Sequence, residues 1–344
     1  MPDTQALKFC VEILPQVSRT FAINIRVLKG ELYRAVLVAY LFCRIVDTVE
    51  DAEDLSIDLR NRLLDEYMAF FEAPVLDARR LSEWIALFGH LDPSDPQQRL
   101  IQNCPFVFAV FSDLPVSTRA IMSGCVLEMA AGMKKTNNRQ QPQESFHSLQ
   151  TMTDLEEYCY YVAGTVGIML TRLFAAYSKS LEPSAAQKMA DLQLSFALGL
   201  QMTNIIKDCF EDYRRGWCYI PTELAAKHGV PIAEFFASPH RQQSLATLDD
   251  LVIKTAKHLD DALDYTLLLP RTEIRLRLFN LWSLFFAVKT LSKAWHNKDL
   301  LSGEVKVKIS RCEVYKTLAQ TTLLVTSDAL LRRLYHRFRD KIAL

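Results

Sequence analysis

The sequence predicts an all-α fold, and three observations favour that class. The 344 residues include only ten glycines, and none of them form a Gly-x-Gly triplet. Alternating β-branched residues bounded by turn residues, the usual signature of strands, are missing. Hydrophobic residues make up 50% of the chain, which is enough to bury a large core and to line an apolar cavity. We therefore expect helices packed around a central apolar cavity.

Loop-forming segments divide the chain into candidate helices. These segments are rich in Gly, Pro, Asn and Ser, which interrupt regular helices. They are GHLDPSDP (89–96), KKTNNRQQPQES (134–145), SKSLEPSA (178–185), RRGWCYIP (214–221) and the stretch from GVP to ASPHRQQS (229–244). None is long enough to be a convincing interdomain linker, so the sequence predicts a single domain over residues 1–344.

Composition excludes several classes of function. Forty basic residues (Lys and Arg) balance forty acidic ones, so no overall field favours nucleic acid as a partner. The eight cysteines include no Cys-x-x-Cys pair and the N-terminus MPDTQALKF is not a secretory signal, so we expect a reducing, cytoplasmic compartment. The longest apolar run, AVLVAYLFC (35–43), is far shorter than the roughly 20 residues of a membrane-spanning helix. Peripheral contact with the inner face of a membrane is compatible with these features.

The first acid-rich segment is FCRIVDTVEDAED, residues 42–54. Four polar residues recur there and just before it at spacings of four, three and four, which places them on one helix face. They are Tyr40, Arg44, Asp47 and Asp51. Glu50 lies beside that face.

The second acid-rich segment is QMTNIIKDCFEDYRR, residues 201–215. Three side chains with oxygen donors recur every four residues and share one helix face. They are Asn204, Asp208 and Asp212, with Gln201 extending the row and Glu211 beside it.

Rows of carboxylates one turn apart destabilise a helix unless something neutralises them. Magnesium is suited to this task, because it prefers oxygen ligands and is commonly held by one or two carboxylates together with substrate phosphates. Two facing rows would bracket a diphosphate through bridging metal ions. The alternative is that each row is a solvated helix face, but apolar neighbours such as Ile45, Val46 and Ile205 indicate partly buried helices.

Four motifs resemble those of one enzyme family in their order and spacing. They are SRTFAINI (18–25), YLFCRIVDTVED (40–51), YCYYVAGTVG (158–167) and QMTNIIKDCFEDYRRGWCYIP (201–221). The family is that of the squalene and phytoene synthases, the head-to-head trans-isoprenyl diphosphate synthases. The resemblance covers most of the chain and implies a single isoprenoid synthase domain, a magnesium-dependent prenyl transferase activity and farnesyl diphosphate as substrate.

The resemblance also implies roles for individual residues. The magnesium ligands would be Asp47, Asp51, Asn204, Asp208 and Asp212, with Glu50 and Glu211 as weaker candidates. The contacts to the substrate diphosphates would be Ser18, Arg19, Tyr40, Arg44 and Gln201. Tyr158 would take part in catalysis together with Tyr40 and Arg44. From the residue alone, without the motif, an interior tyrosine with a satisfied hydroxyl is the favoured interpretation of Tyr158.

The segment VAGTVGIML (162–170) is a candidate wall for the prenyl chain. Ala163, Gly164 and Gly167 lack bulk, and each glycine inside a helix costs about 1 kcal/mol relative to alanine. A groove for the substrate would account for that cost. Close packing between two helices is the alternative.

The implied reaction has two halves. One farnesyl diphosphate ionises and is attacked by the double bond of a second, and loss of a proton gives presqualene diphosphate. A second ionisation rearranges the skeleton, and the final cation either accepts hydride from NADPH, giving squalene for sterol or hopanoid biosynthesis, or loses a proton, giving dehydrosqualene.

The motifs favour different branches of the family. YCYYVAGTVG and RRGWCYIP resemble the carotenoid-forming enzymes, which need no reductant. SRTFAINI, the DTVED helix and LSGEVKVKISRCEVYK (301–316) resemble squalene synthases, in which a similar segment lies near NADPH. Lys308 and Arg311 would then meet the cofactor phosphates, although a basic segment is often only solvated surface.

We predict a squalene synthase, because homology in the C-terminal segment accounts for the length of the chain. A dehydrosqualene or phytoene synthase is the alternative. A non-catalytic prenyl-binding subunit is the third hypothesis, which the complete acidic rows and Tyr158 disfavour. The C-terminus LLRRLYHRFRDKIAL is too charged and short to span a bilayer, so a soluble form is expected, and a monomer is compatible with the sequence.

Overall fold

Helices form almost all of the regular structure, which confirms the predicted all-α class. The computed structural model describes residues 4–52, 54–73, 75–139 and 146–342, except the side chains of Arg19 and Arg139. Backbone contacts divide the chain into two compact units, residues 1–139 with 168–177, and residues 140–167 with 178–344. A single domain over the whole chain stays a prediction.

The first unit is built around helix α3. Its helices are α1 (Thr4–Val17), α2 (Arg19–Val27), α3 (Gly30–Glu50), α4 (Ile57–Glu72), α5 (Ala78–Ala86), α6 (Pro96–Gln102), α7 (Cys104–Ser112) and α8 (Val116–Arg139). Helix α3 packs against α1, α6, α7 and α8. Side-chain caps at Ser18, Ser56, Asp77 and Asp95 accept hydrogen bonds from the first-turn amides of α2, α4, α5 and α6.

An aromatic cluster fixes the rotation of α3 about its axis. The ring centroid of Phe42 lies 4.8 Å from that of Phe108, 4.9 Å from that of Phe71 and 5.3 Å from that of Phe111. Two residues further on, a side chain points about 200° away around the helix. Burial of Phe42 therefore turns Arg44 away from this cluster.

The second unit is centred on a long helix pair. Its elements are β1 (His147–Ser148), α9 (Met152–Cys159), a π-helical segment (Tyr160–Gly164), the start of α10 (Thr165–Tyr177), α11 (Pro183–Arg214), β2 (Trp217–Cys218), α12 (Thr222–Lys227), α13 (Arg241–Leu268), α14 (Ile274–Ala294), α15 (Arg311–Leu324) and α16 (Asp328–Arg339). Helices α11 and α13 cross closely at Gly199, where an added Cβ would lie 2.9 Å from Leu259 Cδ2 and 3.2 Å from His258 Cβ.

Two short features of this unit are absent from the sequence prediction. The two-residue strands pair in parallel, His147 with Trp217 and Ser148 with Cys218. The π-helical segment joins α9 to α10, so that Met152–Tyr177 is one continuous helix. By length and composition, this helix is long and apolar enough to cross a membrane. Core helices of soluble proteins meet the same criterion, and 39% of the most apolar 18-residue window of this helix is buried.

Most of the predicted loop-forming segments coincide with loops in the structure, but their boundaries differ. Helix α8 continues through residues 134–139, which the sequence assigned to a loop, and residues 140–145 lie outside the described residues. Helix α11 begins at Pro183, because proline is favoured in the first helical turn, where its missing N–H costs no hydrogen bond. Gly216, with φ of 85°, follows the end of α11 in the left-handed conformation that glycine tolerates best.

Candidate active site

The C-terminal half of α3 presents three of the predicted residues on one face. Tyr40, Arg44 and Asp47 are partly exposed, whereas the positions between them are buried. The Arg44 Nη1 and Asp47 Oδ2 atoms are 3.6 Å apart. The side chain of Asp47 remains 31% exposed, so a ligand can reach its oxygens. The helical spacing seen in the sequence is therefore a real row in the structure.

Arg44 has an unsatisfied donor. Its Nε is buried and, within the described part of the chain, has no hydrogen-bond partner. Leaving a buried charged donor unpaired costs free energy, and a planar guanidinium pairs well with phosphate oxygens. Arg44 is thus suited to an anionic ligand.

The carboxyl groups at the end of α3 repel one another. Burial and the neighbouring Asp51 raise the pKa of Asp47 to about 7, although Arg44 opposes that rise. Burial and the charges of Asp51 and Asp47 raise the pKa of Glu50 to about 8. A divalent cation would remove this repulsion, so the donor set fits the predicted magnesium.

Asp51, a predicted main ligand, and Glu50, a weaker candidate, differ in accessibility. Asp51 is exposed and follows the last turn of α3, its N–H donating to the Asp47 carbonyl over 2.8 Å. Glu50 is only 8% exposed, and its backbone carbonyl accepts from Arg60 Nη1 at 2.9 Å. Asp47 and Asp51 are the more accessible ligands, and a metal-binding role for Glu50 stays a prediction.

Ser18 and Tyr40 are linked at the start of α2. The Ser18 hydroxyl accepts from the Phe21 N–H at 3.2 Å, which caps the helix, and it also hydrogen-bonds the Tyr40 phenol. Burial raises the pKa of Tyr40 to about 12, so the phenol keeps its proton at neutral pH and can donate to an anion. Arg19 begins α2, and its side chain lies outside the described residues.

The second row occupies the C-terminal half of α11. Buried Met202, Ile205, Ile206 and Cys209 fix one face of this helix in the core. The adjoining face carries the row. Asn204 is exposed there, and the other three residues are partly buried: Gln201, Asp208 and Asp212. Burial and the charge of Asp208 raise the pKa of Asp212 to about 6.

Lysines neutralise part of the second row. Lys207 Nζ pairs with Asp208, and Lys306 Nζ pairs with Glu211. The hydrogen bond from Lys306 lowers the pKa of Glu211. Glu211 and Asp208 are therefore both paired with lysine, and a metal ion that binds Asp208 would compete with Lys207 for that carboxylate.

A recess of about 230 Å³ adjoins this row. It is lined by α11 residues from Lys207 to Glu211 and by the segment from Asp299 to Lys308. Gly303, with φ of 64°, lies close to Phe210, and an added Cβ would clash with that ring. Lys308 borders the recess, whereas Arg311 is exposed in the first turn of α15 and does not line it.

Tyr158 belongs to a stack of aromatic rings. Its ring lies 4.6 Å from that of Tyr219 at an interplanar angle of 25°, and Tyr219 stacks on Trp217 at 5.6 Å and 11°. The β1–β2 pair positions Trp217 beside His147, with ring centroids 5.0 Å apart. The motif RRGWCYIP contains both aromatic partners, but nothing in the local sequence assigns them to the site.

Two of the small residues proposed as a substrate wall lie close to helix α11. An added Cβ at Gly167 would lie 3.0 Å from the Gln193 carbonyl oxygen, and one at Gly164 would lie 2.8 Å from Leu194 Cδ1. These distances support close helix packing, most clearly at Gly167, where the neighbouring atom is backbone. A role of Gly164 and Gly167 in binding the substrate stays a prediction. Ala163 is partly buried, and its role stays a prediction.

Protein ligands alone do not complete a metal site. Among the described residues, no group of three or more His, Cys, Asp and Glu side chains is placed to hold a metal ion. Magnesium that is bound by one or two carboxylates draws its remaining ligands from water and phosphate. The arrangement fits a metal that arrives with a diphosphate.

Comparison with known proteins adds an independent observation. A family model described as squalene/phytoene synthase matches residues 14–313. Squalene synthase of Schizosaccharomyces pombe is 30% identical over 306 residues, which are 88% of this chain and 63% of that protein. Squalene synthase of Rattus norvegicus is 27% identical over 307 residues, which are 89% of this chain and 68% of that protein. This chain thus spans about two thirds of the length of these relatives.

A solved structure is also similar. The complex of TcSQS with the ligand BPH1237 superposes with a TM-score of 0.80 at 25% identity, over 98% of this chain and 95% of that chain. The likeness extends over nearly all of both chains, so it includes both helices that carry the acidic rows.

Proposed function

The chain belongs to the squalene/phytoene synthase family, and we propose that it is a squalene synthase. It would join two farnesyl diphosphates head to head through presqualene diphosphate and reduce the product to squalene. Similar proteins named squalene synthase and the likeness to TcSQS support this proposal. A catalytic rather than a purely prenyl-binding role is supported by the intact rows and by Tyr158.

One observation carries the proposal. On one face of α3, the buried and unpaired Nε of Arg44 lies beside Asp47, whose pKa is raised by burial and by a second carboxylate. A diphosphate with a bound divalent cation satisfies both groups, because its oxygens accept from the guanidinium and its metal binds the carboxylate.

The chain's own groups would promote the first ionisation. When the allylic C–O bond breaks, its electron pair leaves with pyrophosphate, and bound magnesium supplies Lewis-acid stabilisation of that charge. Asp47 and Asp51 would hold metal on α3, and Asn204, Asp208 and Asp212 would do so on α11. Arg44 and the protonated Tyr40, with Ser18, Arg19 and Gln201, would donate to diphosphate oxygens and keep the leaving group in place.

Tyr158 would act at the carbon centre. The double bond of the second farnesyl diphosphate supplies the electrons of the new C–C bond, and closure of the cyclopropane releases a proton. The Tyr158 phenol oxygen would accept that proton while the phenol's own proton passes to an oxygen of the released pyrophosphate. The aromatic faces of Tyr158 and Tyr219 would also attract the positive charge on carbon before the proton leaves.

The reductive half would use the recess beside α11. Lys308 would hold the phosphates of NADPH from the edge of the recess, and bound NADPH would supply the hydride for the final cation. Arg311 would contact the same phosphates from the start of α15. Because the cytoplasm is reducing and contains NADPH, we propose that the protein works there.

A product assay tests the proposal. Purified protein is incubated with labelled farnesyl diphosphate and Mg²⁺, with and without NADPH. We expect pyrophosphate release in both cases, presqualene diphosphate without NADPH and squalene with it. No pyrophosphate release would contradict an enzymatic role, and a polyene formed without NADPH would identify the dehydrosqualene or phytoene branch, which the motif RRGWCYIP favours.

A further inference from the structure

Helices α15 and α16 expose large apolar side chains. Tyr315 is 70% exposed and Leu323 is 82% exposed on α15, and Leu330 is 43% exposed on α16. Isolated exposed apolar residues are ordinary, but a group of large ones marks an interaction surface. These three residues lie within a helical hairpin of 29 residues, Arg311–Arg339.

The buried sides of α15 and α16 pack on neighbouring helices, which leaves the apolar residues of this surface exposed. Helix α15 faces α14 through buried Thr317 and Thr321, which accept hydrogen bonds from Lys289 Nζ at 2.5 Å and Trp282 Nε1 at 3.1 Å. Helix α16 packs against α13, α14 and α15 through buried Leu331, Leu334 and Tyr335. Both helices thus lie against α14 and touch each other, and Tyr315, Leu323 and Leu330 lie on their exposed sides.

The outer faces are also basic. Leu330, Arg333 and Arg337 recur at spacings of three and four, so they form one stripe along α16. Lys316 is exposed next to Tyr315 on α15. Within the described part of the chain, none of Lys316, Arg333 and Arg337 forms an ion pair, although the whole chain has no net charge.

The acidic residues of the hairpin are largely engaged elsewhere. Glu313 accepts from Lys293 Nζ at 2.8 Å, and Asp328 pairs with Arg271 at 2.7 Å and with the buried Arg277. Asp340 follows the end of α16, and its Oδ1 atom lies 3.3 Å from His336 Nδ1. The acidic residues of the hairpin therefore do not pair with Lys316, Arg333 and Arg337, which are exposed on the same two helices as the apolar side chains.

We propose that the outer face of α15–α16 binds peripherally to an anionic lipid surface. Basic side chains beside exposed aromatic and leucine residues are the pattern of helices that lie in a membrane interface. Lysine and arginine meet the negative surface, while Tyr315, Leu323 and Leu330 reach the boundary of the acyl chains. The phosphates of a nucleic acid would pair with the arginines, but they would offer no apolar contact to the leucines.

Vesicle binding tests this surface without depending on catalysis. The full chain is sedimented with vesicles of phosphatidylcholine alone and with vesicles of equal parts phosphatidylcholine and phosphatidylglycerol. We expect binding to the anionic vesicles only, weakening as salt is raised. The double variant Arg333→Gln/Arg337→Gln should bind roughly thirtyfold more weakly, and Tyr315→Ser/Leu323→Ser roughly tenfold more weakly.

Matched controls test whether the loss of vesicle binding is specific to the hairpin or follows from replacing any exposed apolar or basic residue. Val75→Ser/Val116→Ser removes two comparably exposed apolar residues of the first unit, and Lys179→Gln/Lys188→Gln removes two exposed lysines distant in sequence from the hairpin. Both controls should bind like the wild type. Equal binding to neutral and anionic vesicles, or wild-type binding by both hairpin variants, would overturn the proposal. So would a dimer in gel filtration that Tyr315→Ser/Leu323→Ser dissociates, because a second copy would then occupy the face.

Farnesyl diphosphate is water-soluble, so turnover measured in the absence of vesicles checks the proposed function separately. A variant that loses vesicle binding but keeps this turnover would support the surface and leave the catalytic proposal intact.

Discussion

The ring of Tyr158 lies 4.6 Å from the ring of Tyr219, nearly parallel to it. Tyr158 comes from α9 and Tyr219 from the loop after β2, so the stack joins two segments that are 61 residues apart. Stacking on Tyr219 restricts rotation of the Tyr158 side chain, because turning the ring would break the contact between the two faces. The stack therefore holds the Tyr158 phenol in one orientation.

We predict that Tyr219→Ala lowers kcat for presqualene diphosphate formation at least tenfold, while Tyr219→Phe keeps most of it. Phenylalanine retains the stacked ring, and alanine frees Tyr158. Steady-state kinetics of both variants, with Tyr158→Phe as the reference for loss of the phenol, check this. Equal activity of the alanine and phenylalanine variants would show that stacking does not position Tyr158.

Metal-free protein should lose stability as the pH rises from about 5 to 8. The folded-state pKa values of Asp47 and Glu50 are raised to about 7 and about 8. Between the unfolded and folded pKa values the folded state binds more protons, so deprotonation favours unfolding. Thermal denaturation in EDTA over this pH range measures the effect.

Magnesium should reverse that loss, and more strongly at pH 8 than at pH 5. Asp47→Asn should raise the metal-free Tm at pH 8, reduce the stabilisation by magnesium, and lower pyrophosphate release by at least tenfold. Asp113→Asn, at an exposed carboxylate distant from the row in sequence, is the control and should leave all three unchanged. A lower metal-free Tm for Asp47→Asn would mean that the carboxylate stabilises the fold.

Gly167→Ala should destabilise the fold by about 1–3 kcal/mol, because the new methyl group would press on the Gln193 carbonyl and on Ala197 Cβ, 3.1 Å away. Gly124→Ala in α8 meets nothing within 4 Å and should stabilise by about 1 kcal/mol. Urea denaturation of the two variants gives the comparison. A stable Gly167→Ala protein with a changed product chain length would instead support the interpretation that Gly167 lines the wall for the prenyl chain.

Lys308→Gln should raise the KM for NADPH several-fold and leave the NADPH-independent formation of presqualene diphosphate unchanged. The reason is that Lys308 borders the recess beside α11, whereas the proposed first half-reaction would use the acidic rows. Lys188→Gln, an exposed lysine outside the recess, is the matched control. An unchanged KM for NADPH would remove Lys308 from the cofactor site.

The sequence by itself determined the helical class and the rows. Side chains three or four residues apart share a helix face whatever surrounds the helix, so the alignment of Arg44 with Asp47 and of Asp208 with Asp212 follows from spacing alone. The apolar neighbours Ile45 and Ile205 determined which face is buried for the same reason.

Only the tertiary structure decided what depends on distant segments. Whether Gly164 and Gly167 line a groove or pack against a helix depends on where α11 lies, and the sequence left both open. The stack of Tyr219 on Tyr158 and the pairing of Lys306 with Glu211 join residues 61 and 95 positions apart. Local periodicity carries no information about such contacts, because they arise from how the chain folds back on itself.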